Sequence, residues 1–251
     1  MSNPQQWLES PLGQAMLEQE CALTAEVLGR MFGLQLVQLG QWGPSGALIE
    51  QARTAYASVI ASREEEDTVA LHSDPAQLAL APTSVDVVVL PHTLELHDSP
   101  HQVLREAERV LVGEGRLVVL GFNPLSLWGA RHILTRRRFL AGAQRLVAEH
   151  RLSDWLKLLG FEIERVAWHS YRLPVHNVVP SGEGRLERQR PALRPSMLAG
   201  GYLLTARKRV YSMTPVRPVL VPKKAVIGGL VSSIPRQGVA ALDKPPSEPR
   251  R

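Results

Sequence analysis

The sequence predicts an α/β fold built on a mostly parallel sheet with helices on both faces. Val85–Leu90 and Gly115–Leu120 are short, nearly unbroken runs of branched aliphatic residues, the pattern of strands buried on both faces. Between them, Val103, Leu104, Ala107, Val110 and Leu111 recur at helical spacing. Two buried strands joined by a covered helix make a βαβ unit, which implies a parallel pair and ligands beyond the carboxyl ends of the strands.

Each further element has its own signal. Residues 11–32 read as a helix: Ser10 caps, Pro11 opens, an apolar stripe runs from Leu12 to Met31, and Gly33 ends it. Leu34–Leu39 is the first strand, followed by the loop Gly40–Gly46 and a helix from Ala47 to Tyr56. Ala57–Ala61 and Thr68–Leu71 are the second and third strands. Ser99 as cap, Pro100 at the first position and Gln102 closing a capping box start the central helix, and Gly113 stops it. Ser153–Leu159 is a helix capped by Ser153 and stopped by Gly160. Phe161–His169 and Gly201–Lys208 are the last strands.

Composition narrows the classes. The chain has 251 residues, 44% hydrophobic and 21% charged, enough for one α/β domain with appendages. No apolar run reaches the ~18 residues of a membrane span, so no membrane partner is expected. Met1–Ser10 lacks the basic and apolar regions of a secretion signal, so none is expected. One cysteine, Cys21, excludes an internal disulfide and fits a reducing, cytoplasmic compartment. The net charge is +5, and residues 212–251 carry seven Lys/Arg against two Asp/Glu, which is +5 by itself. The excess charge therefore belongs to the tail. Seven of the 19 prolines fall there too, and the segment is expected to be a disordered tail. A nucleic acid or another anionic partner is conceivable for it, although no aromatics interleave for base stacking.

The stretch Ser84–Pro124 resembles the second half of the class I S-adenosylmethionine-dependent methyltransferase core, in its type 11 branch. The resemblance rests on Ser84-Val85-Asp86-Val87-Val88-Val89, on His92 after the strand, on Glu106–Leu111 as E-x-x-R-V-L, and on the Gly113–Leu117 turn into a strand. It spans roughly residues 34–209. It implies a seven-stranded Rossmann-like sheet of order 3-2-1-4-5-7-6, S-adenosylmethionine as cofactor, and a small-molecule methyl acceptor. The implied domains are a helical lead-in at 1–33, a methyltransferase-like domain at 34–211 and the tail at 212–251. Within the domain, 130–151 reads as a lid or insertion with Arg136, Arg137 and Arg138, and 174–196 as an excursion between strands.

The resemblance also places a site. Gly40 matches the first glycine of the family's G-x-G-x-G loop, while Trp42 and Pro44 stand where the second and third belong. Gly43 and Gly46 stand nearby, and Gln38 replaces the usual acid. Cofactor contacts are expected from Gly40, Gln41, Gly43, Glu64, Asp74, Pro75 and His92. Glu64 is the ribose candidate, against the plainer reading of a solvated acidic turn. Asp74 is the adenine candidate, against a simple cap. His92 is a pocket wall or a general base. Asn123 and Trp128 are expected to wall the acceptor site. No catalytic residue is assigned, and His97, His101 and Glu95 lack metal-ligand spacing because Pro100 interrupts any shared helix.

Three functions follow: a methyltransferase, a methyltransferase-like binding or regulatory protein without catalysis, and a doubly wound reductase. The second is motivated by Gln38, Trp42, Pro44 and the missing ribose acid. The third fits worst, because its phosphate loop wants G-x-G-x-x-G.

Overall fold

A computed structural model describes residues 4–62, 70–134, 143, 145–171 and 198–210. Contacts divide the chain into Met1–Tyr211 and Ser212–Arg251. The second unit, the 174–196 excursion, Glu64 and the Arg136–Arg138 triplet lie outside the described residues.

The sheet has seven strands: β1 (Phe32–Leu39), β2 (Arg53–Ala61), β3 (Leu71–His72), β4 (Val85–Pro91), β5 (Leu111–Phe122), β6 (Phe161–His169) and β7 (Gly201–Lys208). Their order is β3-β2-β1-β4-β5-β7-β6, as the resemblance implies. The first five run parallel; β7 pairs antiparallel with both β5 and β6. The helices are α1 (Pro4–Leu8), α2 (Pro11–Leu28), α3 (Thr93–Leu96), α4 (Pro100–Val110), α5 (Leu127–Leu134) and α6 (Glu149–Leu158).

Alternation along the strands sorts the core into two layers. Val88, Leu90, Leu117 and Leu204 face α4 and α6, which contribute Val103, Leu104, Leu152 and Leu156. Val87, Val89, Val118 and Leu203 face the other way, onto Val27 and Leu28 of α2 and onto Ile49. The long apolar β4 sits between two parallel neighbours and is buried along both faces, which is why its sequence does not alternate.

The Glu106–Arg109 pair of the E-x-x-R-V-L run ties α4 to the segment after β3. Arg109 donates to both Glu106 oxygens, at 2.9 and 2.8 Å, and to the Leu78 and Leu80 carbonyls. Glu106 in turn accepts the Leu78 N–H at 3.0 Å. The Arg109 guanidinium holds the Glu106 carboxyl below its ordinary range.

Several expectations change. The largest concerns 47–56: no helix forms there. Residues 46–51 are turns, and β2 begins at Arg53. Gly43 and Gly46 take φ of +71° and +78°, which break a helical start. The β-forming stretch from Arg53 then pairs with β1 from Phe32 onward. Helix α2 correspondingly stops at Leu28, and Gly33 lies inside β1, where a Cβ would come within 2.6 Å of Asp86. Asp86 instead accepts the N–H groups of Leu34 and Gln35 at 2.8 and 2.9 Å. The capping box at Ser99 does not form: its side chain makes no cap bond, and its N–H donates to His97 Nδ1. Helix α6 starts at Glu149, so Ser153 lies within it and bonds Glu149. Gly160, at φ +84°, does end that helix. Strand β5 begins directly at the end of α4, ahead of Gly113.

Gly121 of β5 lies opposite Tyr202 of the paired β7. A Cβ there would lie 2.5 Å from the Tyr202 hydroxyl oxygen, and that buried hydroxyl is fixed by donating to the Val147 carbonyl at 2.9 Å. Gly121→Ala is expected to cost about 2 kcal/mol through overpacking. Urea denaturation should show a lowered midpoint with an unchanged slope.

Candidate functional site

The carboxyl ends of β1, β4 and β5 converge on one buried cluster. At the end of β1, Gly40 takes φ +89° and its N–H donates to the Ile60 carbonyl, which turns the chain out of the sheet. The turn delivers Trp42, which is fully buried. At the end of β4, His92 takes φ +55°, an uncommon conformation for a residue other than glycine. It thereby becomes the N-cap position of α3 and sits between two aromatic rings. Its ring centroid is 4.2 Å from that of Trp42 and 4.3 Å from that of Phe122, at the end of β5.

Both ring nitrogens of His92 meet carboxylates. Nε2 is 2.9 Å from Glu20 Oε1, on α2, and Nδ1 is 2.9 Å from Glu95 Oε2, one turn along α3. All three side chains are shut off from solvent. The other Glu20 oxygen accepts the Trp42 indole N–H at 2.7 Å, and the other Glu95 oxygen accepts the Phe122 backbone N–H at 2.8 Å. Every polar atom of the triad is thus engaged, which burial requires.

The electrostatics follow from this geometry. Burial disfavours the His92 cation, but the Glu20 and Glu95 carboxylates outweigh it and raise the imidazole to about 9. Burial alone would raise Glu20; the charge and hydrogen bond of His92, with help from His169 and the Trp42 N–H, carry it below the ordinary carboxyl range. Glu95 goes the other way, because burial prevails over its hydrogen bonds. His169, whose Nε2 is 3.9 Å from Glu20, is held neutral by burial, down at about 4.

Around the triad the space is filled. Trp7 of α1 lies 6.2 Å from Trp42, 6.1 Å from Phe122 and 6.2 Å from Trp128. Gln5 of α1 clamps the glycine turn: its amide oxygen accepts the Gly43 N–H at 3.1 Å, and its nitrogen donates to the Gln41 carbonyl. Leu17 of α2 packs so close to Gly43 that a Cβ there would come within 2.7 Å.

The sequence-derived residues divide accordingly. Gly40, Gln41, Gly43 and His92 meet at this cluster. Asp74 and Pro75 lie after β3, at a separate part of the same sheet edge. The Asp74 carboxyl is lowered by the Ala76 N–H it accepts at 2.8 Å and by His97, 3.0 Å away. More than half of that side chain remains exposed. Asn123 holds its own loop: its amide donates to the Ala199 carbonyl, and its oxygen accepts the Leu125 N–H. Trp128 is buried in the aromatic cluster. Glu20 was not singled out in the sequence; only its place on the α2 stripe, one turn from Met16, marked it as inward-facing.

A sulfonium cofactor can be tested against these residues in two halves. Positive-φ turns at Gly40 and Gly43 and the open carboxylate of Asp74 suit an adenosyl group. Gln38, at the end of β1, donates to the Gly40 carbonyl at 2.9 Å, while its buried Oε1 has no hydrogen-bond partner. That lone acceptor suits an ammonium donor. The indole of Trp42, however, fills the turn between Gly40 and His92.

The comparisons agree with this architecture. The family described as a methyltransferase domain matches residues 32–119. The uncharacterized protein YafS of Escherichia coli strain K12 is 34% identical over 186 residues, covering 74% of this chain and 72% of that protein. Among solved structures, a methyltransferase of Thermotoga maritima superposes with a TM-score of 0.54 at 18% identity, over 81% of this chain and 93% of its own. One from Archaeoglobus fulgidus gives 0.53 at 15%, over 76% and 94%.

The buried triad makes stability depend on pH in both directions. His92 has a raised folded value, so its contribution is whole below its ordinary 6.5 and lost as pH rises through about 9. His169 is depressed, so its contribution is present above 6.5 and lost as pH falls through about 4. Glu20, also depressed, adds to the acid loss below its ordinary 4.5. Urea midpoints are expected to peak near neutrality and fall on both sides, and His92→Gln should flatten the alkaline limb.

Proposed function

We propose that this chain, whose residues 32–119 match the methyltransferase domain family, is a class I S-adenosylmethionine-dependent methyltransferase of the type 11 branch and transfers a methyl group from that cofactor to a small-molecule acceptor. One observation supports the reading above others: β7 runs antiparallel between β5 and β6, while a glycine turn closes the parallel β1. A doubly wound reductase has no need of that inserted strand, and its glycine spacing is missing here.

In this reading Gly40, Gln41 and Gly43 bring backbone to the cofactor, and Asp74 with Pro75 receives the adenine end. Gln38 Oε1 accepts from the amino group. Glu64 remains the ribose candidate. Asn123 and Trp128 hold the loops that border the acceptor. When bound, the sulfonium supplies an electrophilic methyl group, so the protein's task is chiefly alignment. His92 acts as a positioning residue, since both its nitrogens are committed to Glu20 and Glu95 and neither is free to take a proton from an acceptor. Entry of the methionyl end requires the Trp42 indole to turn away from His92.

A second reading has its own support: a methyltransferase-like protein that binds or regulates without catalysis. The Trp42 indole is fully buried, hydrogen-bonded to Glu20 and packed at a tilt against His92, an arrangement in place of an open pocket.

Isothermal titration with S-adenosylmethionine and S-adenosylhomocysteine separates the two. The first reading expects micromolar binding to the wild type. Binding that appears only in Trp42→Ala would favour the second. No binding up to millimolar ligand by either protein, both shown folded by circular dichroism, would overturn the first.

A further inference from the structure

Strand β2 starts at Arg53, well before β3 begins beside it, so among the described residues the first half of its outer edge is unpaired. The inner side of β2 pairs with β1 from Phe32↔Arg53 to Leu39↔Ile60, without a shift in register. Its outer side meets β3 only at the end, where the Val59 and Ala61 carbonyls accept the N–H groups of Ala70 and Ser73. The Ile60 carbonyl points inward and accepts from Gly40. Backbone groups alternate along a strand. The N–H and C=O groups of Arg53, Ala55 and Ala57 therefore point outward, and no partner pairs with them among the described residues.

The surroundings are exposed and apolar. Arg53, Ala55, Tyr56 and Ala57 are all open to solvent. Tyr56 is 67% exposed, and Phe32 and Leu34 on the neighbouring strand are 69% and 59% exposed. Edge strands are usually blunted by charged side chains, proline or a bulge. Arg53–Ala57 carries one charge, at its first residue, and neither proline nor bulge.

We propose that the outer edge Arg53–Ala57 pairs antiparallel with the same segment of a second copy of this chain, across a twofold axis through Ala55, to make a homodimer with one continuous sheet. The register is self-selecting. An axis perpendicular to the sheet at Ala55 sets Ala55 opposite Ala55 and Arg53 opposite Ala57. These become hydrogen-bonded pairs, each exchanging both of its bonds. All the free outward groups are used, and those bound by β3 are left undisturbed. The one formal charge on the segment faces an alanine, so no like charges oppose each other. Opposed residues share a face of the sheet, which brings the exposed Leu34 side of each copy onto one surface. The interface is isologous, as twofold symmetry requires. The inference does not depend on the methyltransferase reading.

Size-exclusion chromatography with light scattering on the full chain, at tens of micromolar, tests it; the wild type is expected at twice the chain mass. Ala55→Pro removes a central donor whose N–H faces away from β1, so the internal ladder survives. Ala55→Glu and Ala55→Lys each place like charges directly opposite. All three variants should be folded by circular dichroism and at least ~10-fold weaker in self-association. An equimolar mixture of the Glu and Lys variants should restore the dimer, and native mass spectrometry should show one chain of each. A monomeric wild type, a dimer that survives all three substitutions, or a mixture of folded variants that stays monomeric would overturn the proposal.

Discussion

The carboxyl edge of this protein is organised by one imidazole held between two carboxylates in the dry interior. His92 with Glu20 and Glu95 joins α2, α3 and the ends of β4 and β5 through three hydrogen bonds, all of them out of water. Buried ion pairs recover little net free energy over an apolar packing of the same shape, because desolvation cancels most of the attraction. Losing one partner is costly, since an uncompensated charge is left behind. Glu20 and Glu95 together tie α2 and α3 to His92, whose own backbone is left-handed at φ +55°.

A second constraint is the length of the crossover between β1 and β2. Only residues 40–52 are available, and β2 takes up residues from Arg53 onward. With no helix there, the chain closes the crossover by glycine turns, and Trp42 drops into the space at the end of β1. The same economy lets β2 start at Arg53, so its first half runs beyond the reach of β3. One local shortening thus accompanies both the filled hollow beside His92 and, among the described residues, the unpaired edge at Ala55, at opposite ends of the same strand pair.

Most of the sheet was legible in the sequence. Strands β4, β5, β6 and β7 are continuous apolar or alternating runs whose pattern survives any context. The order of the strands came from the resemblance carried by Ser84–Leu117, whose E-x-x-R residues the structure shows tying α4 to the segment before β4. The helix expected at 47–56 after the glycine loop does not form, because the β-forming residues from Arg53 onward pair with β1. In the fold, an eight-residue β1 needed a partner along its whole length, and that pairing outweighed local propensity.

What the sequence determined by itself was periodicity and punctuation: which runs are buried on both faces, and where glycine or proline turns the chain. Those properties depend on near neighbours along the chain. The cluster at the sheet edge depends on residues far apart in it. Glu20 and His92 are separated by 72 positions, and neither flanking stretch signals the other. Only the stacking of α2 on the sheet brought them within hydrogen-bonding distance, and only the exclusion of water there moved their protonation. Tertiary structure decided the chemistry of the site because burial is a property of the whole assembly of elements.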